Sequence, residues 1–433
     1  MTQDLQTRLE TLWGLERRHL KPDLEGTREL LAGLRHPETR FAAVHVAGTN
    51  GKGSVCVLVE RVLRAAGYRT GLYTSPHLVD FRERIRVNGR WANEAELAAG
   101  LDAIEALPNA STRTFFEVTT ALAFDRFARE NVDWAVVEVG LGGRLDSTNV
   151  LSPAVCAITS IGLDHSELLG DTHAAIAAEK AGILKPGVPV VSGVEHDVAA
   201  SIIARRAAEV NATLIVARDW ADVRIRQQGE WGTRLAVDCA PWGRFQLQLP
   251  LRGGHQRDNA RVALVLLAQL AAQGVCIELA ALREGFAGVR WPGRLEPCPA
   301  EPRLWWDGAH NLEGMRRLCS AWSKDLKLPA PAAIIFAAGR DKDARAMLAR
   351  LRSLAPDADL FVAATHNERA RTAADLARNA AEVGSQATPT PSIVQAIRSA
   401  LARYSKGRVL LCGSLFAVGE AMAAFGGGPG EQV

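Results

Sequence analysis

The sequence predicts an α/β chain built on parallel, doubly wound sheets. Three observations predict it. Short β-rich apolar runs alternate with segments of helical periodicity along most of the chain. Several of those runs stop at glycine, where a strand gives way to a turn and then a helix. The alternation breaks at a proline-rich stretch, VRWPGRLEPCPAEPR (289–303), and then restarts, which predicts an interdomain linker.

Composition agrees with a globular chain. Of 433 residues, 48% are hydrophobic and 23% charged, and the length suggests two or three domains. The net charge of +3 gives no electrostatic case for nucleic acid or an anionic membrane as partner. Seven widely spaced cysteines with no CxxC argue against a zinc knuckle or a dithiol redox site. The polar start, MTQDLQTRLE, is unlike a signal peptide, so the expected location is the cytoplasm.

The elements follow in order. Residues 5–15 and 24–34 carry helical periodicity. FAAVHVAG (41–48) is a strand ending at glycine, and VCVLVERVLRAAG (55–67) a helix closed by Gly67. Strands are expected at 70–75, 133–140, 154–162 and 188–194. Residues 212–251 alternate in short runs, as a small antiparallel meander does. A helical region spans 255–287. Its most apolar part, 260–275, is too short for a membrane span and reads as a buried helix. Beyond the linker, strands are expected at 303–306, 331–339, 358–365 and 408–415, with helices at 312–322 and 343–355. The last residues, 426–433, are expected to fray.

The strongest local signal is Gly48-Thr49-Asn50-Gly51-Lys52-Gly53-Ser54, between an expected strand and an expected helix. Glycines let backbone N–H groups curl around an anion, and the helix start adds favourable partial charge. Lys52 suits β/γ-phosphates and the Ser54 hydroxyl suits Mg²⁺, although Gly53 separates them where the usual phosphate loop has none. VEVGLGGRLDSTN (137–149) fails the dinucleotide fingerprint at Leu145. It leaves Glu138 and Asp146 near the carboxyl end of a strand, where ligands bind in such sheets. SIGLDH (160–165) brings Asp164 and His165 to the same rim. Lys180, beside Glu179 on a helix, reads from sequence as a solvated position. WWDGAHN (305–311) places Asp307 and His310 at another strand-to-helix turn, where Asp307 has an alternative reading as a helix cap.

Together these segments, with YTSPHL, FRERI, FFE, EKAGILK, HQRDNA, PGRLE and CGSL, resemble the folylpolyglutamate synthase and dihydrofolate synthase family of the Mur ligase superfamily. The matches run in the family's order from about residue 40 to 420. The resemblance implies an N-terminal P-loop doubly wound domain with a small antiparallel sheet (1–293) and a C-terminal Rossmann-like α/β glutamate-ligase domain (294–433). It implies an ATP-dependent ligase. The carboxylate of dihydropteroate, and then of reduced folates, takes the γ-phosphoryl of MgATP, and L-glutamate attacks the acyl phosphate.

By the same resemblance, ATP is bound by Thr49, Asn50, Gly51, Lys52, Gly53, Ser54, Asn259, Arg294 and Asp307. Two Mg²⁺ ions are held by Ser54, Ser75, Glu138 and His165. Lys180 carries a carbamate and, with Asp307 and His310, forms the catalytic set. Thr114, Phe116 and Asp146 bind the pterin, and Arg84, His310 and Ser414 the incoming glutamate. The expected partners are small molecules alone, and the chain is expected to be a monomer. Alternatives from the same motifs are a folylpolyglutamate synthase without the first activity, another Mur-type amino-acid ligase, and a non-catalytic nucleotide-binding module. Leu312 stands where the family commonly has proline after DGAHN.

Overall fold

The computed structural model describes residues 3–15 and 23–430. Helices α1 (Gln3–Leu15) and α2 (Glu25–Gly33) precede strand β1 (Ala42–Ala47), which runs through the glycine turn into α3 (Lys52–Ala65). After β2 (Thr70–Tyr73) come β3 (Ile85–Val87), β4 (Arg90–Trp91), α4 (Glu94–Glu105) and α5 (Phe115–Arg129). Then β5 (Trp134–Glu138), β6 (Val155–Ile158), α6 (Ser166–Leu169), α7 (His173–Ala181), β7 (Val190–Ser192), α8 (Asp197–Glu209) and β8 (Leu214–Val216) follow. Among the described residues these strands form one eight-stranded sheet, ordered β4-β3-β2-β5-β1-β6-β7-β8. It is parallel from β2 to β8, but β3 and β4 pair antiparallel at one edge, so the sheet is mixed rather than purely parallel.

β1 is central and buried on both faces, which is why its sequence reads as an unbroken apolar run. Val44 and Val46 join the cluster that holds α3 and the long helix α10 (His255–Ala272). Ala43 faces the cluster built around α5. The helix α10 is apolar along most of its length because it lies between α3 on one side and the small sheet on the other. That sheet follows a short helix, α9 (Ala217–Trp220), and comprises β9 (Ala221–Gly229), β10 (Gly232–Cys239) and β11 (Gly243–Leu249), all antiparallel. The expected meander is therefore shorter than 212–251. Leu214–Val216 pairs parallel with β7 in the large sheet, because its side chains complete the apolar face there.

After α11 (Leu279–Ala287) come β12 (Glu296–Pro297), β13 (Leu304–Trp306), α12 (Leu312–Ser320), β14 (Ala333–Phe336) and α13 (Ala344–Leu354). They are followed by β15 (Asp359–Val362), α14 (Ala373–Glu382), β16 (Ala387–Pro389), α15 (Ile393–Arg403), β17 (Val409–Cys412) and α16 (Leu415–Phe425). Their sheet is ordered β12-β13-β17-β14-β15-β16 and is parallel except at β12. The stretch 289–303 is thus not a free linker. Glu296 and Pro297 pair with β13, and Glu296 accepts the indole N–H of fully buried Trp306 at 3.1 Å. Pro302 O accepts that of Trp305 at 3.1 Å, so two buried rings find their polar partners in this segment.

The tail departs from expectation as well. Gly427 lies against Pro299 and Trp306, and Gly430 O accepts from Arg86 at 3.5 Å. Residues 431–433 lie outside the described residues. Leu312 opens α12 without a proline, and Asn311 caps it by accepting from Gly314 N at 2.8 Å.

Candidate functional site

The carboxyl ends of the parallel strands from both sheets meet at one cleft, where open α/β sheets bind ligands. A cavity of about 700 Å³ lies there. Its wall takes the glycine turn after β1, Ser75 after β2, Glu138 at the end of β5 and His165 after β6. Lys180 of α7 and Asn259 of α10 complete the first lobe's share, and Arg294, Asp307 and His310 come from the second.

The glycine turn is shaped by close approach. Gly51 has φ +86°, and a Cβ there would sit 2.3 Å from Asn259 Oδ1. Lys52 folds back, donating to Gly48 O at 3.1 Å and Thr49 O at 3.2 Å. Ser54 sits in the first turn of α3, buried, and lines the cavity. Glu138 accepts from Ser75 N at 3.2 Å. Burial pushes its carboxyl upward, while Lys52, Arg294 and Arg84 pull the other way. Burial likewise raises Asp307, with Arg294 opposing. Asp307 is not the helix cap that its place in the sequence allows; it accepts from Ala309 N at 2.8 Å.

Lys180 is the clearest departure from the sequence reading. It is 5% exposed, not solvated. The loop 140–146 lies on α7, and at Gly143 even a Cβ would come 2.8 Å from Glu179 O. Burial and the neighbouring Lys52 push the Lys180 amine down to about 7.

The pterin candidates lie just behind this wall. Asp146 caps a 3₁₀ turn, accepting from Thr148 N at 3.0 Å, from Leu141 N at 2.8 Å and from the Thr148 hydroxyl. A Cβ on Gly140 would lie 3.3 Å from both Asp146 Oδ2 and Phe116 Cε1, and 3.5 Å from Ser75 Oγ. Carboxylate, aromatic ring and hydroxyl therefore flank one glycine at the cavity wall. Thr114 is engaged as the cap of α5, with Glu117 completing a capping box. Phe116 is half-buried at the edge of the α5 cluster, between pure packing and a free face. The glutamate candidates are less convergent. Arg84 is buried, donates to His77 Nδ1 at 2.8 Å and lies 5.1 Å from the Phe115 ring centre. Ser414 caps α16, as its position at a turn suggests.

Sequence reasoning missed Asn311 and Lys342, which join the second lobe to Asn50 and Asp164 of the first. Asn311 Nδ2 donates to Asn50 Oδ1 at 3.1 Å and to Asp164 Oδ2 at 2.9 Å, while Asn50 Nδ2 donates to Asn311 Oδ1 at 3.2 Å. Lys342, in the loop after β14, bonds to Asp164 and stands 3.5 Å from His165 Nε2. Burial alone would raise the Asp164 carboxyl, but His310, Lys342 and His165 hold it well below the usual carboxylate range. His165 is lowered to about 4, chiefly by burial. The only advance signal was position, since GRDKD (339–343) follows a strand.

Among the described residues no three of His, Cys, Asp and Glu converge to hold a metal ion, and no helix is long and apolar enough to cross a membrane. The nearby donors are oxygen-rich: serine hydroxyls, a carboxylate and one imidazole. Such a set suits Mg²⁺, which keeps waters and shares substrate phosphates rather than needing a full protein cage.

Comparison with known proteins gives the cleft its context. Residues 46–267 match the Mur ligase middle domain and residues 293–415 the Mur ligase glutamate ligase domain. The chain is 35% identical over 411 residues to the dihydrofolate synthase/folylpolyglutamate synthase of Bacillus subtilis, covering 93% of this chain and 94% of that one. E. coli FolC, solved in complex with DHPP and ADP, superposes with a TM-score of 0.84 at 32% identity, covering 97% of each chain. The bifunctional folylpolyglutamate synthase/dihydrofolate synthase of Yersinia pestis, complexed with AMPPNP and Mn ion, gives 0.82 at 31% identity over 97% of each.

Proposed function

The chain belongs to the dihydrofolate synthase/folylpolyglutamate synthase family of Mur ligases, an ATP-dependent ligase family, and from that premise we propose how its cleft works. The carboxylate of dihydropteroate takes the γ-phosphoryl of ATP, and the amino group of L-glutamate displaces phosphate to form the amide. Reduced folates then enter the same cycle and gain further glutamates. An unactivated carboxylate is a poor electrophile, so ATP supplies the leaving group. The protein aligns the reactants and neutralises phosphate charge.

Residues 1–293 form the ATP-binding domain and 294–433 the glutamate-ligase domain. Lys52 leaves its carbonyl partners to meet the triphosphate, which the backbone of 49–54 encloses. Asn259 meets the base, and Arg294 and Asp307 approach the phosphates. Ser54, Ser75 and Glu138 on one side and His165 on the other hold divalent cations. A bound Mg²⁺ supplies charge neutralisation on the transferring phosphoryl group. Burial lowers the Lys180 amine to about 7 and so favours the neutral form that adds CO₂ with loss of a proton, and the resulting carbamate exchanges a cation for an anion beside the metal donors. Thr114, Phe116 and Asp146 receive the pterin. Arg84, His310 and Ser414 receive the glutamate, a guanidinium suiting its carboxylates. The enzyme acts as a cytoplasmic monomer on small molecules.

The observation that supports this reading most is the shared cavity. The glycine turn of one lobe and the DGAHN turn of the other line it together with Glu138, His165 and Lys180. Purified protein given MgATP, dihydropteroate and L-glutamate should release ADP and phosphate and form dihydrofolate. Extension of a tetrahydrofolate without dihydrofolate formation would reduce the reading to the second activity. ATP consumption with neither acid would overturn it.

A further inference from the structure

His45 lies at the centre of β1, paired in register with Val137 and Cys156 and 0% exposed. An imidazole there is expensive, since a Val or Ile would pack in the same place with no polar atom to satisfy. Its Nε2 has a partner, the Thr148 hydroxyl at 2.8 Å. Its Nδ1 is buried with no hydrogen-bond partner. The Thr148 hydroxyl in turn bonds to Asp146, the carboxylate beside Gly140 and Phe116.

We infer that His45 is a positioning residue for the pterin end of the acid substrate, acting through Thr148 to fix Asp146 as a hydrogen-bond acceptor. This rests on the reading above that Asp146 receives the pterin.

The direction of the chain follows from donor counting. Burial, with Lys185 nearby, pushes the imidazole down to about 3, so it carries one proton. On Nε2 that proton goes to Thr148 Oγ1 and leaves Nδ1 a bare acceptor. On Nδ1 it would be an orphaned buried N–H, the rarer and costlier defect. With its oxygen already accepting, the Thr148 hydroxyl turns its own proton toward Asp146 Oδ1. Asp146 then receives donors from Leu141 N, Thr148 N and Thr148 Oγ1, with the Gly140 backbone also contributing. These donors favour the charged carboxylate and oppose the burial that pushes it toward the neutral form. A carboxylate so held can accept from the amino and ring N–H groups of a pterin. Without the imidazole, the Thr148 hydroxyl is free to reverse and accept from a protonated Asp146, which then presents the substrate with a neutral carbonyl oxygen, a weaker acceptor than a carboxylate.

His45 also sits three residues before the glycine turn, so a merely structural role would disturb ATP as well. Steady-state kinetics on the full chain separate the two. His45→Leu and Thr148→Val should each raise the dihydropteroate KM about tenfold, the scale of one buried hydrogen bond to a charged group, with the ATP KM within about twofold. His45→Gln, whose amide donates to the same hydroxyl, and Thr148→Ser should recover most of the loss. The double variant His45→Leu/Thr148→Val should be no worse than either single one. Equal rises in both KM values, failure of the Gln and Ser variants to rescue, or unchanged kinetics would overturn the inference. Asp146→Asn distinguishes its failure from that of the pterin assignment. If Asp146→Asn raises the dihydropteroate KM and His45→Leu does not, only the relay is wrong. If Asp146→Asn leaves it unchanged, the assignment of Asp146 itself is wrong.

Discussion

At the scale of single residues, Lys180 shows what one buried amine does to both stability and chemistry. Its pKa is near 7 in the folded chain against 10.5 in an exposed lysine. Between those values the unfolded chain binds more proton, so stability rises with pH through that window, and the penalty is complete below it. In CO₂-free buffer, where Lys180 is a free amine, Lys180→Met should therefore raise the melting temperature at pH 7 and flatten its rise toward pH 10 in a thermal scan. The same variant should lose turnover by at least about a hundredfold, the scale of a removed electrostatic stabiliser, while ATP affinity by calorimetry falls only a few-fold. Wild-type enzyme stripped of CO₂ should slow, most at low pH where the amine is protonated, and recover on adding bicarbonate. None of this was legible locally. Lys180 stands next to Glu179 on a helix of ordinary composition, and it is buried by a loop some forty residues earlier in the chain. The glycine turn was legible because its chemistry is sequential: strand, glycines, lysine, serine and helix follow one another without gaps.

At the scale of elements, the large sheet was readable where strands are buried on both faces and obscure where they are not. β1, β5, β6 and β17 stand out as apolar runs. The edge pieces β3, β4 and β16 are short and half-exposed or set among charged residues, so no run or alternation marks them. The Leu214–Val216 strand was absorbed into the neighbouring meander because three residues carry no period. The glycine turn allows a sharper test. Gly51 combines a left-handed φ with contact against Asn259, so Gly51→Ala meets both strain and a clash. Its ATP KM should rise by about tenfold or more, a loss of 1.4 kcal/mol or above. Its far-ultraviolet circular dichroism should be nearly unchanged, since Gly51 is the cap of α3 and not within the helix. Asn259→Ala should relieve the clash but not restore ATP affinity, if Asn259 itself meets the base.

At the scale of the whole molecule, the two-lobed plan was visible in the break and restart of the alternation, but the contacts between lobes were not. They pair residues far apart in sequence: Lys342 with Asp164, Asn311 with Asn50, Asp325 with Gly254 N at 2.6 Å and Arg408 with Glu230 at 2.8 Å. Of these, the Lys342–Asp164 pair is the most buried, with side chains 10% and 7% exposed, so it is screened least by salt. Lys342→Met should enlarge the radius of gyration of the unliganded protein in solution scattering, and ATP with dihydropteroate should restore the compact value. An unchanged radius would show that the remaining contacts suffice. The reciprocal amides of Asn50 and Asn311 carry a consequence for turnover. One amide belongs to the glycine turn proposed to hold nucleotide, and the other starts the first helix of the opposite lobe. On the proposed reading, nucleotide in the cradle competes for the very amides that tie the lobes, so filling the cradle and parting the lobes are coupled.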